Sequence, residues 1–383
     1  MQDTPLAPHV APTDDAHPRH DPEVLARRLP TRPRPPWKPR RVLVTRSARD
    51  WPIATRVAER ATAMGAEVVE LKGDRVTGLR GESEAETYRR AKSTLAVVVA
   101  PPSARRPQPI PPSADWRFDL ATGCPAHCQY CYLAGSLAGP PVTRAFANLP
   151  EILDALPPLI GQGHVTSDDP ARRAEGTTFE ASCYTDPLGI EHLTGALADT
   201  IVWFGRRPEA VQLRATTKFA DVAGFADLDH RGRARLRFSV NAEAVVRRFE
   251  GGTASLGARL DAMGRLARAG YPVGLTVAPI MPIANWAGSY DELFARAADA
   301  LPDGADLSVE LITHRFTPGS REVLTGWYPA SDLEMDPSVR REKRTKFGGV
   351  KYVYPKATMD TLRERLTASM RRHLPGARLL YMT

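Results

Sequence analysis

The sequence predicts an α/β protein: a six-stranded parallel sheet, either open or curled as a partial (β/α)6, TIM-like barrel, preceded by a small N-terminal α/β domain and followed by a basic C-terminal hairpin/helix extension. Three observations carry this prediction. From Trp116 onward, apolar segments alternate with amphipathic stretches, the rhythm of a parallel sheet joined by helical crossovers. Six apolar segments qualify as strands: "WRFDLAT", "TTFEASC", "VQLRATTK", "LRFSVNA", "VGLTVAPI" and "LSVELITH". Polar residues gather just after these segments, and in open or closed α/β sheets chemistry collects at the C-terminal strand ends.

Residues 1–40 hold ten prolines and no apolar periodicity, so they read as a disordered, Pro-rich, weakly basic tail. Residues 41–102 give strand, helix and strand in "RVLVTRSA", "PIATRVAERATAMG" and "AEVVEL", with Gly65 ending the helix. "AKSTLAVVVAPP" adds another strand to this small domain. The Pro-rich stretch 103–115 reads as a linker. Residues 116–330 form the barrel, with helices over "GIEHLTGALADTIVWFG", "LGARLDAMGRLARAG" and "SYDELFARAADAL". Residues 331–383 make the basic extension.

A chain of 383 residues, 42% hydrophobic and 25% charged, has ample material for a buried core. No run approaches the roughly 18 to 20 apolar residues of a membrane span, and no apolar signal segment opens the chain, so a cytoplasmic location with no membrane partner is expected. Four cysteines are too few for a disulfide framework. The net charge of +8 is unevenly spread: from Arg340 to the end there are twelve Lys/Arg and three acids. Such clustering suits a phosphate-contacting surface and equally a solvated helix face; charge alone leaves both readings standing.

Three of the four cysteines fall in "GCPAHCQYCYLAG" as Cys124, Cys128 and Cys131, a C-x3-C-x2-C spacing directly after the first barrel strand. Structural zinc commonly takes four ligands in two pairs, and no second pair exists; His127 is adjacent to a ligand and awkward to recruit. Three thiolates on one short loop suit a 4Fe-4S cluster with one iron left open to a small molecule. With Tyr130 directly before the third cysteine, the motif resembles the signature of the radical S-adenosylmethionine (SAM) superfamily. That resemblance implies a radical-SAM barrel in which the open iron binds S-adenosyl-L-methionine and an electron cleaves it to a 5'-deoxyadenosyl radical.

The resemblance narrows through "LATGCPAHCQYCYLAG", "TTFEASCYTDPLGIEHLTGAL", "TTKF", "RLRFSVNA", "AGYPVGLTVAPI", "ELITHRFTPGSREV" and "VKYVYPK", preceded by "YRRAKSTLAVVV". Together these resemble the spore photoproduct lyase family over about residues 41–383. The resemblance implies a carbon-carbon lyase that repairs 5-thyminyl-5,6-dihydrothymine in UV-damaged DNA. It makes Cys183 the hydrogen donor to the thymine radical and Tyr130 and Tyr132 the relay that resets Cys183. Lys218, Ser239, Asn241, Thr185 and the Ala278 backbone then match positions that hold S-adenosyl-L-methionine, with Thr185 where a serine is usual. Asp186 and His192 read better as structural residues of the strand-end loop.

In the DNA-facing hairpin "KRTKFGGVKY", Lys346 and Phe347 replace an arginine and a tyrosine, and Lys351 and Tyr352 complete the expected contacts. Lysine keeps the charge and loses the bidentate fork. An electron donor such as a flavodoxin or ferredoxin is implied as a partner. Two other readings stay open at this point: the same radical-SAM machinery acting on a different lesion or nucleoside, and a non-catalytic, metal-stabilised nucleic-acid-binding protein.

Overall fold

The structure, a computed structural model, describes residues 35–136, 139–163, 170–181, 183–344 and 349–383. The first strands, β1 (Arg41–Val44), β2 (Glu67–Glu70) and β3 (Thr94–Val98), pair in parallel. Val42, Leu43, Val44, Leu95, Ala96 and Val97 are all buried, the continuous apolar pattern of strands covered on both faces. The helix Pro52–Ala63 covers one face with Ile53, Ala54, Val57 and Ala61, spaced three to four apart.

The stretch 103–115, expected as a linker, carries β4 (Gln108–Ile110), which pairs antiparallel with β5 (Ala114–Phe118). Its prolines are tolerated because β4 is an edge strand. The first sheet also draws strands from both sides of the expected boundary at residue 102. Strands β6 (Ala121–Thr122) and β8 (Thr143–Phe146), with β7 (His127–Cys128) between them in the chain, complete the first sheet in the order β2-β1-β3-β8-β6.

The larger sheet continues from β5 through β9 (Thr177–Ala181), β10 (Val211–Thr217) and β11 (Ala234–Val240). The two-residue β12 (Glu250–Gly251) lies outside it, and β13 (Val273–Ile280) and β14 (Leu307–Thr313) follow. All six strands expected from the sequence are present, parallel and adjacent in chain order. After the hairpin β15 (Arg341–Arg344) and β16 (Val350–Val353), the chain returns through helix Lys356–His373 to β17 (Arg378–Met382). β17 lies parallel beside β14, so the last residues of the expected extension belong to the main sheet. Among the described residues no helix is long and apolar enough to cross a membrane.

Strand alternation gives this sheet two unlike faces. Leu213, Leu236, Phe238, Val240, Leu275, Val309 and Leu311 are buried on the face that packs against the helices. The other face carries Glu180, Arg214, Thr216, Arg235, Arg237, Thr276 and Glu310. Arg237 pairs with Glu180 of β9 and with Glu310 of β14 (2.6 Å), and donates to the Ser113 hydroxyl beside β5 at 2.9 Å. A side chain on β11 that reaches three strands away in one direction and two in the other shows that the sheet curls around this face. One layer lower, Glu175 accepts from Arg214 (2.5 Å) and Arg235 (3.1 Å), and Asp306 accepts from Arg235 and Arg378, both at 2.9 Å.

Removing one partner of a buried ion cluster leaves the others uncompensated, at a cost of about 3–5 kcal/mol. Arg237→Ala is therefore expected to lower the unfolding free energy by about that amount in a urea titration. Lys356→Ala, which deletes an exposed i,i+4 pair with Asp360, is expected to leave the midpoint in place.

Candidate functional site

The loop after β5 is shaped before its cysteines are reached. Gly123 enters it at φ +76°, and a Cβ there would stand 2.3 Å from the Val142 carbonyl oxygen, so only glycine fits. β7 then pairs antiparallel with β12, placing Cys128 opposite Glu250 and His127 opposite Gly251. The helix Glu84–Lys92, capped by the Ser83 hydroxyl, presents Tyr88 and Lys92 one turn apart on the face toward the loop. Lys92 donates to the carbonyls of Cys124 (2.5 Å) and Ala126. The Tyr88 hydroxyl meets His127 Nδ1 at 2.9 Å and also the Tyr328 hydroxyl. His127 is thus engaged within the protein, and burial with nearby Lys92 lowers its pKa to about 4.

Lys92, Cys124, Cys131 and Trp327 line one pocket. Burial pushes the Cys124 thiol up to about 12 and raises Cys128 as well, so thiolates form here only when a metal displaces their protons. Among the described residues no three His, Cys, Asp or Glu side chains converge as a single ion requires. The loop offers three separate thiols, the donor set of an iron-sulfur cluster with one iron left open.

A second group stands at the ends of β10, β11 and β13. Lys218 follows β10, and its ammonium donates to Glu250 (2.9 Å) and to the Ala278 carbonyl (3.2 Å). Tyr130 lies under it, the ammonium 5.4 Å from the ring centre, with the phenol donating to the same Glu250 carboxylate. Arg259 completes the cluster at Glu250. Desolvation opposes the Glu250 charge, but Arg259 and Lys218 outweigh it and hold the carboxyl near 2. Asp186 accepts from the Thr217 hydroxyl (2.8 Å) and the Lys218 N–H (2.6 Å), which fixes the end of β10.

Other residues singled out in the sequence have varied settings. Asn241 is fully buried, and its amide is committed to the Pro279 carbonyl (2.6 Å) and the Tyr290 hydroxyl (2.7 Å). Ser239 is buried at the end of β11, its carbonyl accepting from Arg259 at 2.8 Å. The Thr185 hydroxyl is buried with no hydrogen-bond partner among the described residues. His192 is turned to the Trp37 carbonyl at 2.8 Å.

Cys183 follows β9. Burial raises its pKa, the carboxylates of Glu180 and Asp119 raise it further, and Arg237 and Arg117 offset only part, so the sulfur keeps its proton at neutral pH. The Tyr132 hydroxyl donates to the Cys183 carbonyl, while Tyr132 itself is 66% exposed. Its ring therefore lies where a ligand entering from solvent would meet it.

The hairpin β15–β16 exposes Arg341, Lys343 and Arg344, with Lys343 opposite a half-buried Lys351. Tyr352 exchanges backbone bonds of 2.8 and 3.2 Å with Phe316, three residues beyond β14, and their rings lie 5.3 Å apart. This anchors the hairpin at the C-terminal rim of the sheet, the rim that carries the cysteine loop, Cys183 and Lys218. Lys346 and Phe347 lie outside the described residues.

Glu250, Lys92, Tyr88 and Asp119 are the residues that sequence reasoning passed over. Glu250 had one local sign, the pair of glycines after it that lets the chain approach His127. Lys92 and Tyr88 act across more than thirty residues of sequence, and no local pattern announces them.

A family model described as spore photoproduct lyase matches residues 37–383. The spore photoproduct lyase of Bacillus subtilis (strain 168) is 36% identical over 351 residues, 91% of this chain and 99% of that protein. The spore photoproduct lyase of Geobacillus sp. (strain Y412MC61) is 38% identical over the same shares. A solved spore photoproduct lyase complexed with dinucleoside spore photoproduct matches with a TM-score of 0.82 at 36% identity, covering 91% of this chain and all of that one. A mutant form with bound AdoMet and dinucleoside spore photoproduct matches with the same values.

Gly123→Ala forces a Cβ against the Val142 carbonyl and should distort the loop without touching a thiol. Anaerobic reconstitution is expected to load far less iron per chain than in the parent, with an unchanged far-ultraviolet circular dichroism spectrum.

Proposed function

The chain belongs to the spore photoproduct lyase family, and from that membership we propose that it is a radical-SAM DNA-repair lyase that returns 5-thyminyl-5,6-dihydrothymine to two thymines. One observation carries the reading. A three-thiol loop, a protonated lone thiol and a lysine follow three successive parallel strands and so share one rim of a curled sheet, the rim where such folds do chemistry. The sheet is read as the partial barrel of radical-SAM enzymes. Cys124, Cys128 and Cys131 would hold a 4Fe-4S cluster, and Lys218, Thr185, Ser239 and the Ala278 backbone would line the site for S-adenosyl-L-methionine. Asn241 serves that site by fixing the rim around Pro279 and Tyr290.

When bound, the cluster and S-adenosyl-L-methionine supply a carbon radical that removes the hydrogen from C6 of the lesion. The chain's own part begins once the bond between the thymines breaks and leaves a thymine radical. Cys183 gives that radical a hydrogen atom, which requires S–H and not thiolate; its buried setting beside Glu180 and Asp119 keeps it so. Tyr132, hydrogen-bonded to the Cys183 backbone, would return a hydrogen atom to the spent sulfur. Tyr130, on the Lys218 side, would give its hydrogen atom to Tyr132 and recover one from the 5'-deoxyadenosine formed in the first abstraction. The exposed basic hairpin anchored at the same rim would hold the phosphates of UV-damaged DNA, and a flavodoxin- or ferredoxin-type protein would supply the electron. A cytoplasmic location fits this chemistry.

The test is anaerobic turnover of a dinucleotide carrying the lesion, with products identified by chromatography and mass spectrometry. The parent should give intact thymine-thymine product. Cys183→Ala should retain its iron and consume lesion, yet give mostly by-products of a trapped thymine radical. Clean product from that variant at the parent's yield would remove Cys183 from the mechanism, and no turnover by the parent would remove the lesion.

DNA affinity should fall steeply with salt. Lys346→Ala and Lys351→Ala should each flatten the log-log salt slope by about one. Unchanged slopes in fluorescence anisotropy titrations would place the contact surface elsewhere.

A further inference from the structure

We propose that Glu250 is the positioning residue of the cofactor pocket, holding the Lys218 ammonium in the direction from which it meets the carboxylate of S-adenosyl-L-methionine. The inference rests on the radical-SAM reading above and adds to it a residue that contacts neither cofactor nor lesion.

A lysine on a flexible four-carbon stem is a poor recognition element until something fixes its head. Lys218 is fixed twice, by Glu250 at 2.9 Å and by the Ala278 carbonyl at 3.2 Å. Those bonds use two of the three ammonium protons and leave the third for a ligand. Its side chain keeps 17% exposure, whereas that of Glu250 has none, so an incoming anion meets the lysine and not the glutamate.

A carboxylate beside an anion site would repel the ligand if its charge were unbalanced. Arg259 balances it: one guanidinium nitrogen binds Glu250 Oε2, another the Ser239 carbonyl at 2.8 Å, and the third the Ala254 carbonyl at 3.0 Å. The Ala254 N–H in turn bonds the Lys218 carbonyl at 3.0 Å. The loop 250–254 thereby braces the ends of β10 and β11. Its first residue is also the ladder partner of Cys128, so one residue sets the lysine relative to the cysteine loop.

A merely structural Glu250, present only to neutralise Arg259, would affect every ligand of the pocket alike. A positioning Glu250 affects only ligands with a carboxylate for Lys218. The experiment uses the full reconstituted chain and measures anaerobic equilibrium binding of S-adenosyl-L-methionine and of decarboxylated S-adenosylmethionine. It compares the parent with Glu250→Gln, which removes the charge, and Glu250→Asp, which keeps the counter-ion of Arg259 but shortens the reach to Lys218.

Both variants are expected to keep the parent's iron content and to weaken S-adenosyl-L-methionine by at least about tenfold, the scale of one charge-assisted contact. Decarboxylated S-adenosylmethionine should bind all three proteins within about twofold. Equal weakening of both ligands, no weakening of either, or loss of iron in both variants would overturn the assignment. Failure of the parent to bind S-adenosyl-L-methionine would instead strike the radical-SAM reading on which it stands.

Discussion

A guanidinium buried inside the curled sheet governs the architecture. Arg237 points into a space from which water is largely excluded, and an unpaired charge there would cost several kcal/mol. Glu180 and Glu310 answer it from opposite sides, and Thr216, Thr276 and Ser113 tie those carboxylates and the guanidinium to their neighbours. Because these partners sit on β9, β10, β13, β14 and beside β5, the neutralisation succeeds only if the strands curl toward one another. The charge layer thus does what an apolar filling does in α/β barrels, and it demands one register, since a slip by a single residue would drive every charged side chain into the helix layer.

That charged interior reaches the rim without a break in pattern. Arg214, Thr216 and Lys218 alternate along β10, as do Arg235, Arg237 and Ser239 along β11. Below the rim Arg237 is closed off by Glu180 and Glu310 from within the sheet, and Arg214 and Arg235 by Glu175 and Asp306, each just ahead of a strand. At the rim the closing residue comes from outside the sheet, from Glu250 on the loop that also holds Cys128. Strand-to-strand pairing of charges ends there, and Lys218 is the point of transition.

Legibility of the sequence followed the range of the physics. The six parallel strands were readable because alternation and run length are local properties, and the cysteine loop was readable because its spacing is local. β17 was hidden in a basic tail: "RLLYM" is short, follows a charged helix, and gains its place only by pairing with β14 some seventy residues earlier. The first sheet was divided wrongly at residue 102 because β6 and β8 are short strands contributed from beyond the expected linker. Arg237 illustrates the limit within a correct strand. "LRFSVNA" announces alternation, but whether its arginine faces solvent or two buried glutamates depends on the curl.

On the proposed reading Cys124, Cys128 and Cys183 share one side-chain chemistry but serve opposite tasks, and acidity does not separate these three. Burial raises Cys124 and Cys128 just as it raises Cys183, so none of these three is prepared as a thiolate by its surroundings. What differs is the neighbour that arrives. Cys124 sits beside Lys92, whose ammonium is fixed on the loop carbonyls and favours negative charge on that sulfur once a metal takes the proton. Cys183 sits beside Glu180 and Asp119, which disfavour that charge, and hangs from another strand under an exposed phenol. On that same reading a metal that draws protons finds three thiols on one loop, and a radical that needs a hydrogen atom finds at Cys183 a sulfur that still carries one. On the proposed reading the division between cluster ligand and hydrogen donor is made by strand order, the three loop thiols following β5 and Cys183 following β9.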